Sequence, residues 1–232
     1  MAGSAFIVGT RGYALTAGHC LPGPGETLAG LFLIAEQYNG SIRGRWALEP
    51  IATHESHPRE DVGILRLTTP ALPCAFLRLS ARRRDPETEY QSWGYPERGY
   101  DYINVPEEGR RLPRPDLIYT KGYVRRVVDR AGVFPSARGS ALLEVSEVAG
   151  AGCSGSPVVE YVPADHAAAR PKWAVIGIYI GEQTRVGGTS VGVVASSAGF
   201  GTWEPTMLGH SLIVEANPTP EQASAAGMPE TV

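Results

Sequence analysis

Short apolar runs that alternate with polar positions recur along the whole chain, and such runs bounded by turn residues are the pattern of β-strands. Phe6-Ile7-Val8 and Tyr13-Ala14-Leu15-Thr16 flank Gly9-Thr10-Arg11-Gly12, a hairpin pattern. Leu31 to Glu36 and Arg43 to Pro50 are further strands, and Val62 to Leu67 alternates into another. Gln91-Ser92-Trp93-Gly94 resumes strand character and ends in a turn at Tyr95-Pro96. The pattern then repeats at Ile118-Tyr119-Thr120, Gly122-Tyr123-Val124, Ala141 to Val145 and Val158-Val159. Trp173 to Gly181 is the strongest strand signal, and Val191 to Ala195 follows it. No stretch carries a long 3.6-residue apolar period, so helices should be few and short.

The segments between are polar. Residues 81–89 read as a charged, solvated connection, and 97–115, rich in Pro, Gly and Arg, as an exposed loop or a crossing between subdomains. Beyond about Asn217 the tail has little to bury and reads as disordered or a linker. Arg110, Arg111, Arg114, Arg125 and Arg126 are interspersed with acids and lack aromatic stacking partners, the mark of a solvated face.

Composition narrows the class. At 232 residues the chain suits one compact unit or two joined subdomains, and its 28 glycines and 19 prolines suit many strands joined by turns. A net charge of −3 leaves no electrostatic footprint for nucleic acid or an anionic membrane. No apolar run approaches a membrane span, and the first eight residues lack the basic start and long apolar core of a leader. Three cysteines make a disulfide framework an unnatural reading. Cys20 and Cys153 sit beside candidate catalytic residues, where oxidation would be harmful; a reducing, cytoplasmic compartment is expected.

The chemistry centres on Gly150-Ala151-Gly152-Cys153-Ser154-Gly155-Ser156-Pro157. A serine hydroxyl is a nucleophile only with a base in reach. Bare N–H groups beside it, here those of Gly152 and Ser154, can hold the oxyanion of a tetrahedral intermediate. The same string also suits an ordinary loop turn. Upstream stand His19, at the end of the strand Tyr13–Thr16, and Asp61, where loop meets strand; a satisfied histidine and a turn-forming carboxylate are their plainer roles. His54 and His57, three apart in a Pro-containing loop, have no nearby Cys or further His to complete a metal site, so no metal or other cofactor is expected.

His19, Asp61 and Ser154 follow one another at intervals of 42 and 93 residues. That chain order separates the chymotrypsin type from subtilisins and α/β-hydrolases, and Ser156 with Pro157 argues against a G-x-S-x-G elbow. Leu15-Thr16-Ala17-Gly18-His19-Cys20, Asp61-Val62-Gly63-Ile64-Leu65-Arg66-Leu67 and Gly152-Cys153-Ser154-Gly155-Ser156-Pro157-Val158 each resemble a motif of the trypsin-like (chymotrypsin-fold) serine peptidases, over about residues 3–200. The resemblance implies an all-β fold of two antiparallel six-stranded β-barrels. Residues 1–90 would carry His19 and Asp61; 91–205 would carry Ser154, the oxyanion loop and the specificity pocket; 206–232 would be a tail. It implies a catalytic triad of His19, Asp61 and Ser154, an acyl-enzyme, an oxyanion hole at Gly152 and Ser154, and a protein or peptide substrate.

Two departures qualify it. No cysteine precedes Cys20, so the disulfide of secreted relatives is absent and Cys20 should be a buried thiol. Cys153 stands where zymogen relatives carry the Asp that receives a new N-terminus, so the chain looks more like bacterial, non-zymogen members governed by a regulatory partner or an additional domain. By the same resemblance the substrate pocket is framed by Val148 to Cys153, Tyr179 to Glu182 and Val191 to Val194, with Val148, Tyr179, Gly181 and Gly192 as its named positions. Gly181 and Gly192 would leave it deep, favouring a large apolar or basic residue before the cut; Glu182 would favour a basic one and Arg185 an acidic one unless they belong to an exposed loop. The alternative is a catalytically silent binding module of the same fold.

Overall fold

The computed structural model describes residues 3–8, 12–23, 32–39, 42–68, 77–80, 84–96, 99–105, 110–129, 134, 137–162 and 172–200. Fourteen strands and almost no helix make up these residues. The first five strands are β1 (Ala5–Val8), β2 (Tyr13–Ala17), β3 (Phe32–Asn39), β4 (Ile42–Ser56) and β5 (Val62–Leu67). They form an antiparallel sheet in the order β1-β2-β5-β4-β3. The hairpin expected from Phe6 to Thr16 is present, with Ala5 opposite Thr16 and Val8 opposite Tyr13. β2 is buried at every position, with β1 and β5 along its edges and Tyr13, Leu15 and Ala17 in the apolar core.

The second sheet contains β6 (Arg78–Leu79), β7 (Glu89–Gly94), β10 (Ile118–Val128), β11 (Leu142–Val145), β12 (Pro157–Val162), β13 (Lys172–Thr184) and β14 (Ser190–Ser196). Six of them run β12-β7-β10-β11-β14-β13, and β12 also pairs with β13, so the ring closes. Closure leaves the barrel without an open sheet edge. The fold is the all-β, chymotrypsin-like class that the strand pattern and motifs imply, with a closed barrel and a second sheet. Among the described residues, helix is confined to a 3-10 turn at Gly18–Cys20 and one turn at Ser197–Phe200.

One apolar cluster joins the two sheets. Leu15, Val62 and Ile64 from the first meet Val159, Val175, Ile178 and Val193 from the second. A second cluster fills the barrel interior with Tyr90, Leu143, Val158, Ile176, Tyr179 and Val194. Along β13, Ile178 and Ile180 face the first cluster while Tyr179 faces the second. Burial on both sides explains why the segment from Trp173 to Gly181 is so continuously apolar.

Two segments depart from the sequence reading. Glu97 to Pro115, expected as a loop or crossing, contains an antiparallel ribbon of β8 (Gly99–Val105) and β9 (Arg110–Pro115). Tyr100, Tyr102, Ile103 and Val105 are β-formers, which the high Pro, Gly and Arg content of the stretch concealed. Within the expected solvated connection 81–89, Arg84 is buried; its guanidinium donates to Glu160 and, at 2.7 Å, to Ser80 Oγ. Glu89 already belongs to β7. The expected solvated arginine face is organised as well: Arg126 donates to the buried Glu144 at 2.9 Å, Arg185 joins the same carboxylate, and Arg125 lies 3.7 Å away. Arg111 is exposed, while the side chains of Arg110 and Arg114 and the tail beyond Asn217 lie outside the described residues.

Removing one partner of a buried ion pair leaves a charge without compensation. Glu160→Ala is therefore expected to destabilise the fold by about 3–5 kcal/mol, measured by urea unfolding.

Candidate active site

Strand register builds the first half of the site. Ala17 lies opposite Val62, so the residues just after β2 and just before β5 emerge side by side. The Asp61 carboxylate consequently receives two hydrogen bonds from one residue. His19 N–H donates to Oδ1 at 2.8 Å, and His19 Nδ1 lies 2.7 Å from Oδ2. The backbone bond fixes the carboxylate, and the carboxylate fixes the ring. Nδ1 bound to a carboxylate carries the proton, which leaves Nε2 as the basic nitrogen. The His19 side chain is 47% exposed and that of Asp61 12%, so the acid is sheltered while the imidazole faces outward.

The bond to Asp61, reinforced by Cys20 and opposed by partial burial, holds the His19 pKa far above its ordinary 6.5. The neutral ring, the form able to take a proton, therefore prevails only at higher pH.

The second half is the loop after β11. Gly152 and Gly155 have positive φ, 87° and 95°, and bend the chain around Ser154. At Gly155 a Cβ would collide with the Ser4 carbonyl, so glycine is required there on both conformational and steric grounds. Cys153 is buried and free, and burial pushes its thiol up to about 11, so it behaves as packing rather than as a nucleophile. Cys20 is also a buried free thiol, in keeping with the expectation from the missing upstream cysteine.

The halves meet at residues that sequence reasoning did not single out. Ser4 N–H donates to the Ser154 carbonyl at 2.6 Å, and Ser4 Oγ donates to the Gly152 carbonyl at 3.0 Å. Tyr95 N–H donates to the same Ser4 hydroxyl at 2.9 Å, and Thr16 Oγ1 donates to the Ser4 carbonyl at 2.7 Å. The Cys20 sulfur lies 3.8 Å from the Ser154 carbonyl, which places Ser154 against the residue that follows His19. Glu60, buried beside Asp61, accepts from Ser140 Oγ at 2.6 Å and from the Ser140 and Ala141 N–H groups. Arg138 donates to the His57 carbonyl at 2.7 Å. No motif marks Ser4, Glu60 or Arg138; each acts only across the junction.

A hollow of about 970 Å³ adjoins His19 and Asp61, walled by His54 and Ser56 on one side and by Arg138, Gly181 and Glu182 on the other. Ser154 is not part of its wall. Among the described residues Ser154 Oγ has no hydrogen-bond partner, His19 included. Of the four named pocket positions, Gly181 lines this hollow, Val148 is half-buried, Tyr179 is buried, and Gly192 is in β14 beside Val145 and Tyr179. Arg185 is held on Glu144 rather than in the hollow. His57 is buried, its Nδ1 accepting from the Arg59 and Glu60 N–H groups, and among the described residues no cluster of His, Cys, Asp or Glu suits a metal ion.

A closed β-barrel beside a second antiparallel sheet, with a histidine–aspartate pair and a glycine-bounded serine at their junction, belongs to the class of chymotrypsin-like serine proteases. A family model of the trypsin-like peptidase domain matches residues 3–161, and the chain belongs to that family. Solved structures with the same fold include the MamO protease domain from Magnetospirillum magneticum, 17% identical over 84% of each chain with a TM-score of 0.53. Rv3671c from M. tuberculosis, as an inactive serine-to-alanine mutant, is 15% identical over 94% of this chain and 83% of that one, TM-score 0.53. The HtrA-type protease AlgW, solved with a decapeptide, is 20% identical over 100% of this chain and 61% of its own, TM-score 0.53. A search of curated protein sequences gives no match.

The raised His19 pKa sets a pH dependence. The acid limb of kcat/KM is expected above pH 6.5, because the ring must lose its proton to act as a base. The charged pair stabilises the fold fully below that ordinary value, and this contribution fades as pH rises through the raised one. Asp61→Asn removes the largest cause of the shift, so it should move the limb down towards 6.5 and lower the rate by about 10⁴. A pH–rate profile of both proteins checks this.

Proposed function

We propose that the chain is an endopeptidase that hydrolyses peptide bonds of a protein substrate through a triad of Ser154, His19 and Asp61. The 2.7 Å bond between His19 Nδ1 and Asp61 carries the reading, since it leaves Nε2 as the basic nitrogen. In the first step Ser154 Oγ attacks the scissile carbonyl and His19 Nε2 takes its proton. The oxyanion forms opposite the N–H groups of Gly152 and Ser154, each donor worth about 3–4 kcal/mol where measured. His19 then gives the proton to the leaving amine, and water attacks the acyl-enzyme by the same route. Asp61 holds the tautomer and stabilises the imidazolium.

The substrate strand has a place to lie. β12 pairs with β13 only as far as Ile178, and the serine loop takes both backbone groups of Tyr179. Ile180 and Gly181 come next and line the hollow. An extended peptide adding to that edge would run past His19. In this reading residues 1–90 supply His19 and Asp61, residues 91–205 supply Ser154, and neither nucleic acid nor membrane is a partner.

Control by a regulatory partner or an attached domain, rather than by N-terminal cleavage, is supported by two observations. Cys153 is buried as a neutral thiol and offers no ion pair to a new N-terminus. Ser154 Oγ is not bonded to His19, so a final adjustment of the loop is needed before attack. Such bonds are often loose before substrate arrives. The same observation favours the second reading, a silent binding module. Two buried free thiols beside the site suit a cytoplasmic, reducing setting.

A fluorophosphonate probe separates the readings. Wild type is expected to label, and Ser154→Ala and His19→Ala to lose the reaction, with rates down by about 10⁴–10⁶. A folded wild type that does not label without an added partner contradicts constitutive activity, and one that never labels supports the silent module.

A further inference from the structure

We infer that Tyr179 fills the base of the substrate side-chain pocket, so that the enzyme accepts a small residue, alanine or valine, before the scissile bond. The inference rests on the proposed protease reading and narrows it to a substrate class.

Three segments frame the pocket in that reading: 148–153, 179–182 and 191–194. The Tyr179 side chain touches all three neighbourhoods at once. Its hydroxyl accepts a hydrogen bond from Ala149 N–H at 3.1 Å. Its ring lies against Gly192, with Cε2 3.0 Å from where a Cβ on that glycine would stand. The residue is 3% exposed and packs in the barrel cluster with Cys153 and Val194. Gly192 therefore does not open a deep pocket, which was the ground for expecting a large side chain. A Cβ there would meet the Glu147 carbonyl and Val145 first and the tyrosine ring next.

The backbone that carries the ring is tied to the serine loop. Tyr179 N–H donates to the Ser156 carbonyl at 2.9 Å, and the Tyr179 carbonyl accepts from Gly155 N–H at 2.7 Å. Both bonds are to the loop that carries Ser154, so moving the plug moves the nucleophile. Burial holds the phenol pKa up at about 12, so the hydroxyl stays neutral at working pH. The phenol itself then offers no negative charge to receive a lysine or arginine. A side chain entering from Ser154 meets an aromatic face, which suits one or a few methyl groups and excludes a second ring.

The test is a set of fluorogenic peptides that differ only before the cleaved bond, carrying Ala, Val, Phe or Lys, with active enzyme counted by fluorophosphonate titration. Wild type is expected to cleave the Ala and Val peptides at least about tenfold faster in kcat/KM than the Phe and Lys peptides, as for other discriminations by fit. Tyr179→Ala should raise the Phe-to-Ala ratio by about 10²-fold, whereas Tyr179→Phe, which keeps the volume and loses the hydroxyl, should keep the wild-type order. Indole should raise the Tm of Tyr179→Ala and leave that of wild type unchanged, since only the variant has a cavity to fill. If Tyr179→Ala does not fold, the wild-type series and Tyr179→Leu decide, the latter expected to shift the ratio partway. A titratable wild type that cuts after Phe or Lys as fast as after Ala overturns the inference and leaves the protease reading standing. A folded wild type that neither titrates nor cleaves, with or without an added partner, overturns both.

Discussion

The hydrogen bond from Ser4 N–H to the Ser154 carbonyl, 2.6 Å long, is the point at which the two halves of the site are joined. A base on one sheet and a nucleophile on another are useful together only if their relative position is fixed to a fraction of an ångström. Apolar packing between the sheets supplies cohesion but little direction, because the hydrophobic effect is not directional. Direction comes from the polar contacts around Ser4: its N–H on Ser154, its hydroxyl on Gly152, and its carbonyl under Gly155 and Thr16 Oγ1. Glu60 and Arg138 add a second set of bonds on the far side of His19. Related enzymes that mature by cleavage brace this loop with a charged N-terminus. Here a neutral serine near the chain start carries the bracing, next to a buried thiol.

Among the described residues, three sheltered charges are met by opposite ones. Asp61 is sheltered on its His19, Glu144 lies under Arg126 and Arg185, and Arg84 is buried against Glu160. The Glu144 group ties β10 and β11 to the turn after β13, so it stiffens the barrel wall. In the Asp61–His19 pair the acid is sheltered while the imidazole faces solvent, and that exposure is what makes it chemically available.

The fold and the histidine–aspartate pair were legible because they depend on local patterns. Alternation in Val62 to Leu67 and the buried run Tyr13 to Ala17 mark two strands, and their register alone brings His19 to Asp61. Three other features were not legible. Ser4 belongs to no motif, and its role exists only once β1 lies beside the serine loop. Arg84 sat in a stretch of charges whose burial depends on a carboxylate 76 residues away. Glycine at 192 suggested space, yet space depends on what lies opposite, and Tyr179 lies opposite. Strand content in Tyr100 to Val105 was hidden by averaging over a polar stretch.

The most direct measurement is a crystal structure of the chain with a peptide boronate carrying alanine at the reacting end. The account predicts a covalent bond from Ser154 Oγ to boron, His19 Nε2 within hydrogen-bond distance, and a boronate oxygen facing the Gly152 and Ser154 N–H groups, with the Tyr179 ring beneath the alanine methyl. A well-diffracting crystal, soaked at saturating boronate, with no bond at Ser154 or with the adduct on another residue would contradict it.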